Sequence, residues 1–266
     1  MIEVIGYIGA VLIGVTLGLI GGGGSILTVP ILVYLFGVDP VPATAYSLFI
    51  VGLTALTGSF TYMKKNEISY LTAVVFAVPA FIAVFLTRYF LVPAIPQNII
   101  SIGEFTLTRD IFIMVLFAGL MVAASISMIK GRKKENVESE IKFNVPLIIL
   151  EGFVVGVLTG LVGAGGGFLI IPALVILANL PMKMAVGTSL LIIAAKSLIG
   201  FIGDIGSDVT IDWSFLLIFS ALAIVGIFGG SYLSKFISNA KLKPAFGWFV
   251  LMMGIYIIGK EFYASF

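Results

Sequence analysis

The segment from Gly18 to Pro30, GLIGGGGSILTVP, returns 142 positions later as the segment from Gly160 to Pro172, GLVGAGGGFLIIP. Further residues match at the same offset: Ala43 with Ala185, Ser47 with Ser189, Leu48 with Leu190, and Gly58 with Gly200. A single glycine-rich match arises easily by chance, but agreement at one fixed offset over a longer stretch indicates duplication. The chain is therefore predicted to contain two copies of one structural unit.

The composition predicts a membrane protein. Of the 266 residues, 60% are hydrophobic and 11% are charged, and the mean hydropathy is +1.21. Several apolar runs reach the roughly 20 residues that a helix needs to cross about 30 Å of hydrocarbon. These runs are apolar on every side, whereas a soluble fold would need polar faces. We expect an all-α polytopic protein that spans the cell membrane several times.

Two residue types are missing from the sequence, and their absence excludes several kinds of catalytic and metal site. The chain contains no cysteine and no histidine, which removes disulfides, thiolate chemistry and the usual ligands of zinc, copper and haem. No predicted segment holds two carboxylates, so the sequence offers few residues suited to acid–base catalysis. We therefore predict no enzyme, no metal and no cofactor. The cations sit in short loops, and we predict no nucleic-acid partner.

The apolar segments fall into two groups around one charged run, KGRKKENVESEIK, at residues 130–142. They cover residues 4–37, 41–63, 70–92, 110–129, 144–180, 183–204, 212–234 and 244–263. This division predicts a first membrane repeat over 1–130, a cytoplasmic linker over 131–143 and a second membrane repeat over 144–266. Only Glu3 precedes the first apolar run, and no basic region does, so we interpret that run as a membrane segment rather than a signal peptide.

The placement of lysine and arginine favours an inverted relation between the halves. If every segment crosses once, the best assignment leaves eight cations inside and six outside. If each glycine-broken segment dips in and returns, the count becomes eleven against three, which fits the positive-inside rule better. We therefore expect two inverted repeats with both termini outside. Each repeat would combine a glycine-broken, re-entrant-like helix pair with three transmembrane helices.

The glycine runs predict a binding site at the middle of the membrane. Small residues also let helices pack closely, which is the simpler interpretation. Irregular backbone at membrane depth, however, is tolerated only inside protein or beside a polar cavity. Each break would point the positive end of its second half-helix at the midplane, so two inverted copies favour an anion between them. The residues predicted to form this part of the site are Gly22, Gly23, Gly24, Ser25, Gly165, Gly166 and Gly167.

Lys196 is the most informative single residue, because it lies far from both ends of its apolar segment. A lysine at such a depth costs at least about 2.5 to 3.5 kcal/mol, so a partner in the bundle interior is expected. Ser189 shares its helix face, and the matching face of the first half carries Ser47 and Thr54, with Thr54 at the position of Lys196. We add these four residues to the predicted substrate site.

The remaining polar residues of the segments have several interpretations. Glu151 is a candidate for coupling transport to an ion, but it could also be interfacial or form a structural ion pair with Lys196. Tyr46 and Tyr62 flank the polar face and are candidates for lining the pocket. Charged residues at segment ends are interpreted as interfacial anchors or topology signals; these are Asp39, Arg88, Arg109 and Asp110.

The paired GLIGGGGSILTVPIL and GLVGAGGGFLIIPAL, followed by segments containing AYSLF and GTSLL, resemble the TauE/SafE sulfite exporter family, also called the DUF81 or four-toluene-sulfonate uptake group. The resemblance covers nearly the whole chain. It implies a secondary transporter of sulfite, sulfoacetate, thiosulfate or other organosulfonates. The matched positions are Gly21 to Ser25 with Pro30, and Gly163 to Gly167 with Pro172. The resemblance assigns no role to Lys196.

On this basis we expect alternating access of the two repeats around a small anionic substrate, coupled to H+ or Na+. The chain could also associate as a homodimer in the lipid bilayer. No GxxxxGK[ST] sequence indicates an ATP site. Two alternatives stay open at this stage. One is an anion channel, and the other is a receptor that uses Lys196 as a Schiff base for a retinal-type chromophore.

Overall fold

The computed structural model describes residues 2–102, 105–130, 145–163, 166–176, 178, 180–205, 211–234, 236 and 239–264. The first half contains helices α1 (Ile2–Ile20), α2 (Thr28–Leu35), α3 (Pro40–Met63), α4 (Tyr70–Leu86), the short α5 (Val92–Ala94) and α6 (Arg109–Ile129). The second half contains α7 (Val145–Val162), α8 (Gly167–Ile176), α9 (Met182–Ile202), α10 (Trp213–Leu233) and α11 (Asn239–Ala264). Within these described ranges, six helices are long and apolar enough to cross a membrane. The prediction of an all-α polytopic membrane protein is confirmed.

One small β-structure lies outside the helical prediction. Strands β1 (Asn98–Ile102) and β2 (Phe105–Thr108) pair in antiparallel fashion between α5 and α6. β2 leads directly into α6, whose first turn is capped by the Thr108 hydroxyl, which accepts a hydrogen bond from the Ile111 amide. The hairpin therefore fixes the start of a membrane helix without itself crossing the bilayer.

The first glycine-broken segment doubles back on itself. After α1, the chain turns at Gly21, whose φ of +75° suits glycine, and continues as a 3-10 helix over Gly22–Leu27 before α2 begins. Along the returning chain, Gly24 packs against Thr16, Ile31 against Gly9, and the ring of Phe36 against Gly6. The start of α1 and the end of α2 therefore lie at the same end of the bundle.

Each half packs its first helix against a helix of the other half. Helix α1 runs parallel to α10, with Gly14 packed on the backbone of Ala223 and Gly18 on that of Ile227. In the same way α7 runs parallel to α4, with Gly156 packed on the backbone of Ala80. Because α7 corresponds to α1 and α4 to α10 at the offset of 142, the two contacts are equivalent.

The central pair consists of α3 and α9, which correspond to each other at the same offset. Gly52 packs against Leu198, and Gly200 against Leu48, so the two helices run antiparallel. Their apolar windows are each 72% buried, whereas those of α4 and α10 are each 44% buried. Helices α3 and α9 therefore form the centre of the protein, and any site between them is shielded from lipid.

Candidate functional site

The two glycine breaks meet in the centre of the protein. Gly22 and Gly167 lie backbone against backbone, so a side chain on either would collide with the other. Gly23 lies within the same 3-10 helix, and the buried Ser25 hydroxyl donates to the Gly22 carbonyl at 2.8 Å. Gly165 lies outside the described residues. Two equivalent segments thus touch through residues without side chains.

Lys196 lies beside the second break. Its side chain is fully buried, and Nζ donates to Oγ1 of Thr159 at 2.8 Å. A Cβ atom on Gly166 would stand 2.7 Å from Nζ, and Gly166 immediately precedes α8. The φ of +59° at Gly166 favours glycine, because other residues resist the left-handed region. The ammonium group therefore lies against the N-terminus of α8.

This arrangement brings two positive groups to one place. The amide of Ile170 bonds the Gly166 carbonyl at 3.2 Å, and the amide groups before it have no partner within the helix. A helix N-terminus carries roughly half a positive charge, which repels the nearby ammonium group. An oxyanion between them would neutralise both and accept hydrogen bonds from both. The chemistry that this site can perform is anion binding.

Thr159 is a contact residue that the sequence did not reveal. It aligns with Leu17 in the first half, so the repeat offered no matching polar residue. A threonine in an apolar segment also commonly bonds its own helix, which makes it look unremarkable in a sequence. Only its proximity to Lys196 identifies it.

The equivalent place in the first half has no cation. Thr54, which corresponds to Lys196, donates from Oγ1 to the carbonyl of Ile50 at 2.6 Å. Gly24, which corresponds to Gly166, packs against Thr16 and Leu17. The polar groups here are satisfied by their own helix, so the charge belongs to the second half alone.

Ser47 and Ser189 do not lie at one depth. The antiparallel register of α3 and α9 places Ser189 level with Phe60, 13 residues and about 20 Å along α3 from Ser47. Ser189 donates to the Val186 carbonyl at 2.8 Å and neighbours Gly21, whereas the buried Ser47 hydroxyl has no hydrogen-bond partner within the described chain. One small anion cannot contact both serines at once.

The alternative prediction of a structural ion pair between Glu151 and Lys196 is wrong. No such pair occurs among the described residues, and Lys196 contacts Thr159 instead. Glu151 lies eight residues before Thr159, about 12 Å along α7. Its carboxylate is half-buried, and Oε2 has no hydrogen-bond partner within the described ranges. Its role in coupling stays a prediction.

The prediction of Arg88 as an interfacial anchor is also wrong. Its side chain is 1% exposed and forms an ion pair with Asp204, with Nη2 at 2.7 Å from Oδ1. Nε donates to both carboxylate oxygens, and Nη1 donates to Oγ1 of Thr44 at 2.8 Å and to the Gly160 carbonyl at 3.2 Å. The error arose because the partner lies 116 residues away, at the end of a different predicted segment.

A cavity of about 120 Å³ lies at the other end of α3 and α9 from the ion pair between Arg88 and Asp204. Its lining combines two lysines, one carboxylate and several less polar groups: Leu19, Tyr62, Lys65, Glu67, Lys183, Val186 and Ser234. Tyr62 thus lines a cavity as predicted, whereas the Tyr46 hydroxyl accepts a hydrogen bond from the Asp212 amide at 2.7 Å. Val186, one of the lining residues, also packs against Gly21 of the first glycine break.

Comparisons with known proteins find similar membrane transporters. Residues 7–257 match the family model described as Sulfite exporter TauE/SafE. A probable membrane transporter protein of Xylella fastidiosa (strain 9a5c) is 32% identical over 257 residues, covering 94% of this chain and 92% of that protein. The probable membrane transporter protein YunE of Bacillus subtilis (strain 168) is 29% identical, covering 82% and 83%. No solved structure matches the chain.

Proposed function

Because the chain belongs to the TauE/SafE sulfite exporter family, we propose that it is a secondary carrier of small sulfur-containing anions. The substrate class is sulfite, sulfoacetate, thiosulfate or another organosulfonate, and the anion binds between Lys196 and the N-terminus of α8. The observation that carries this proposal is the fully buried Lys196 ammonium beside Gly166.

Among the described residues no carboxylate pairs with the buried Lys196, which supports function rather than stability. A charge buried at this depth is costly, and the Thr159 hydroxyl is an uncharged acceptor that does not neutralise it. Packing would be served better by an apolar residue. A bound anion supplies the missing countercharge, because its oxygens accept from the ammonium group, from the Thr159 hydroxyl and from the first amides of α8.

We further propose that the halves are inverted repeats that alternate around this anion. The support comes from the antiparallel packing of the equivalent helices α3 and α9, since two copies in the same orientation would place them parallel. The matched contacts of α1 with α10 and of α7 with α4 support the same two-fold relation. Rocking of one repeat against the other would expose the midplane site to each side in turn. Glu151 is the proposed residue for coupling to H+ or Na+.

Transport by purified protein in liposomes tests the proposed function. We expect saturable counterflow, in which unlabelled sulfite, sulfoacetate or thiosulfate inside the vesicle accelerates uptake of the labelled anion. A flux that rises linearly with concentration without counterflow would instead make the protein a channel. If no member of the panel binds or crosses, the assignment of sulfur anions is wrong.

A further inference from the structure

We propose that the ion pair between Arg88 and Asp204 is a gate that closes one end of the transport path, while the cavity beside Tyr62 marks the open end. This inference rests on the transporter function proposed above. It concerns the route to the site rather than the site itself, and it follows from a comparison of two ends that the repeat makes equivalent.

The residues at the two ends correspond one to one. At the offset of 142, Thr44 corresponds to Val186 and Asp204 to Tyr62. Thr44 and Asp204 bond the Arg88 guanidinium at one end, and Val186 and Tyr62 line the cavity at the other. Equivalent positions of the two repeats therefore surround an ion pair at one end of the protein and a cavity at the other end.

Arg88 itself explains the difference. It corresponds to Gly230, which has no side chain and packs against the backbone of Val15. At the closed end the guanidinium joins three helices, since it contacts Thr44 on α3, Gly160 on α7 and the carboxylate just after α9. At the open end the equivalent position, Gly230, has no side chain that could join the helices in this way.

The closed end lies directly above the path to the centre. Thr44 and Ser47 are one turn apart on the same face of α3, so Ser47 lies about 4.5 Å deeper than the gate. Ser189 occupies the equivalent depth below Val186 and the cavity. An anion that leaves Lys196 toward Ser47 must therefore separate Arg88 from Asp204, whereas one that leaves toward Ser189 meets the open cavity.

The chemistry suits a gate for anions. A buried guanidinium and carboxylate hold each other through charge-assisted hydrogen bonds as long as no competitor is present. An arriving oxyanion presents the same acceptor geometry as Asp204 and can replace it on Arg88. Opening would then be favoured by the substrate itself, and water would be excluded between transport events.

Two cysteine reporters test the gate in the otherwise cysteine-free chain. Ser47→Cys reports on the closed end and Ser189→Cys on the open end, and both are measured as rates of reaction with a charged thiol reagent in detergent. In the parent protein we expect Ser189→Cys to react at least about tenfold faster. The combined change Arg88→Gln and Asp204→Asn removes the ion pair without leaving an isolated buried charge. It should raise the rate at Ser47→Cys at least about tenfold.

The controls distinguish a gate from an ion pair that only stabilises the fold. Thr44→Val keeps the ion pair and should raise the Ser47→Cys rate less than the double variant does, because only one of the hydrogen bonds donated by the guanidinium is lost. An unchanged rate at Ser47→Cys in the neutral double variant overturns the gate. So does an equal rise at both reporters, or failure of the double variant to elute as a folded protein, because each assigns the pair to general stability. Since labelling needs no substrate, these outcomes are independent of the liposome flux that tests the proposed function.

Discussion

The two glycine breaks begin at equivalent glycines with a positive φ, Gly21 and Gly163, but they differ in charge. Around the first break, Gly24 packs against Leu17, and Thr54 is satisfied by its own helix. Around the second, the aligned positions are Gly166, Thr159 and Lys196, and Lys196 donates a hydrogen bond to Thr159 beside Gly166. Gly22 and Gly167 bring the two breaks into contact, and of these aligned positions only those of the second half include a cation.

The largest expected effect is all-or-none and tests whether the halves are inverted. Lys64→Cys and Ile205→Cys place single thiols after the equivalent helices α3 and α9. In intact cells, an impermeant thiol reagent should label only Ile205→Cys, because the cation count places Lys64 inside. Both should react once the cells are permeabilised. Labelling of both in intact cells would mean that the halves have the same orientation, and the comparison between equivalent ends would fail.

Lys196→Met should produce the largest graded effect. It keeps much of the side-chain length and removes the charge, so the protein should insert normally yet bind its anion about 10- to 200-fold more weakly, which is about 1.5 to 3 kcal/mol. The measurement is anion binding to purified protein. Thr54→Val is the matched control in the other half, and it should change affinity by less than about tenfold because Thr54 bonds its own helix. Equal losses in both variants would place the site evenly across the two halves.

Gly166→Ala should show the next effect. The positive φ of Gly166 costs an alanine about 1 to 2 kcal/mol, and the new methyl group would displace the Lys196 ammonium. Both thermal stability and anion affinity should fall. Gly119→Ala is the control, because nothing lies within 4 Å of its added methyl group, and it should leave affinity unchanged. Loss of stability with full retention of affinity would show that Gly166 serves only the turn.

Thr159→Val should have the smallest effect. The change removes the hydroxyl that holds Nζ at 2.8 Å and should weaken anion binding by about 0.5 to 1.5 kcal/mol, or about 2- to 12-fold. If Thr159 acts through Lys196, the variant should add little once Lys196→Met is present. A double-mutant cycle measures that coupling, and independent, additive losses would separate the two residues.

The sequence predicted those features that depend on local pattern. The glycine runs predicted a break in the first segment, which the structure places at Gly21, and the distance of Lys196 from both segment ends predicted its burial. The contacts made across the chain could not be predicted in this way. Arg88 lay at the edge of an apolar run, where an exposed cation is the ordinary interpretation, and only tertiary packing brings Asp204 to it. The placing of Ser47 and Ser189 in one site failed for the same reason, since their depths depend on the antiparallel register.

Thr159 illustrates a different limit. Alignment of the repeats highlights residues that both halves share, and it passes over a residue that matters because the halves differ. Leu17 and Thr159 are such a pair, and so are Gly230 and Arg88. In a duplicated transporter, the mismatched positions near a matched turn are therefore as informative as the matched ones.

The packing of α1 on α10 and of α7 on α4 has a consequence for how the protein is made. During synthesis, α4 enters the membrane before its partner α7 has been made, and α1 enters before its partner α10. Neither half can bury its own glycine-lined helix faces without a helix from the other half. The first half made alone should therefore behave as an unfinished intermediate that exchanges helices with a second copy of itself. Because both halves lie in one chain, that concentration-dependent assembly becomes an intramolecular step.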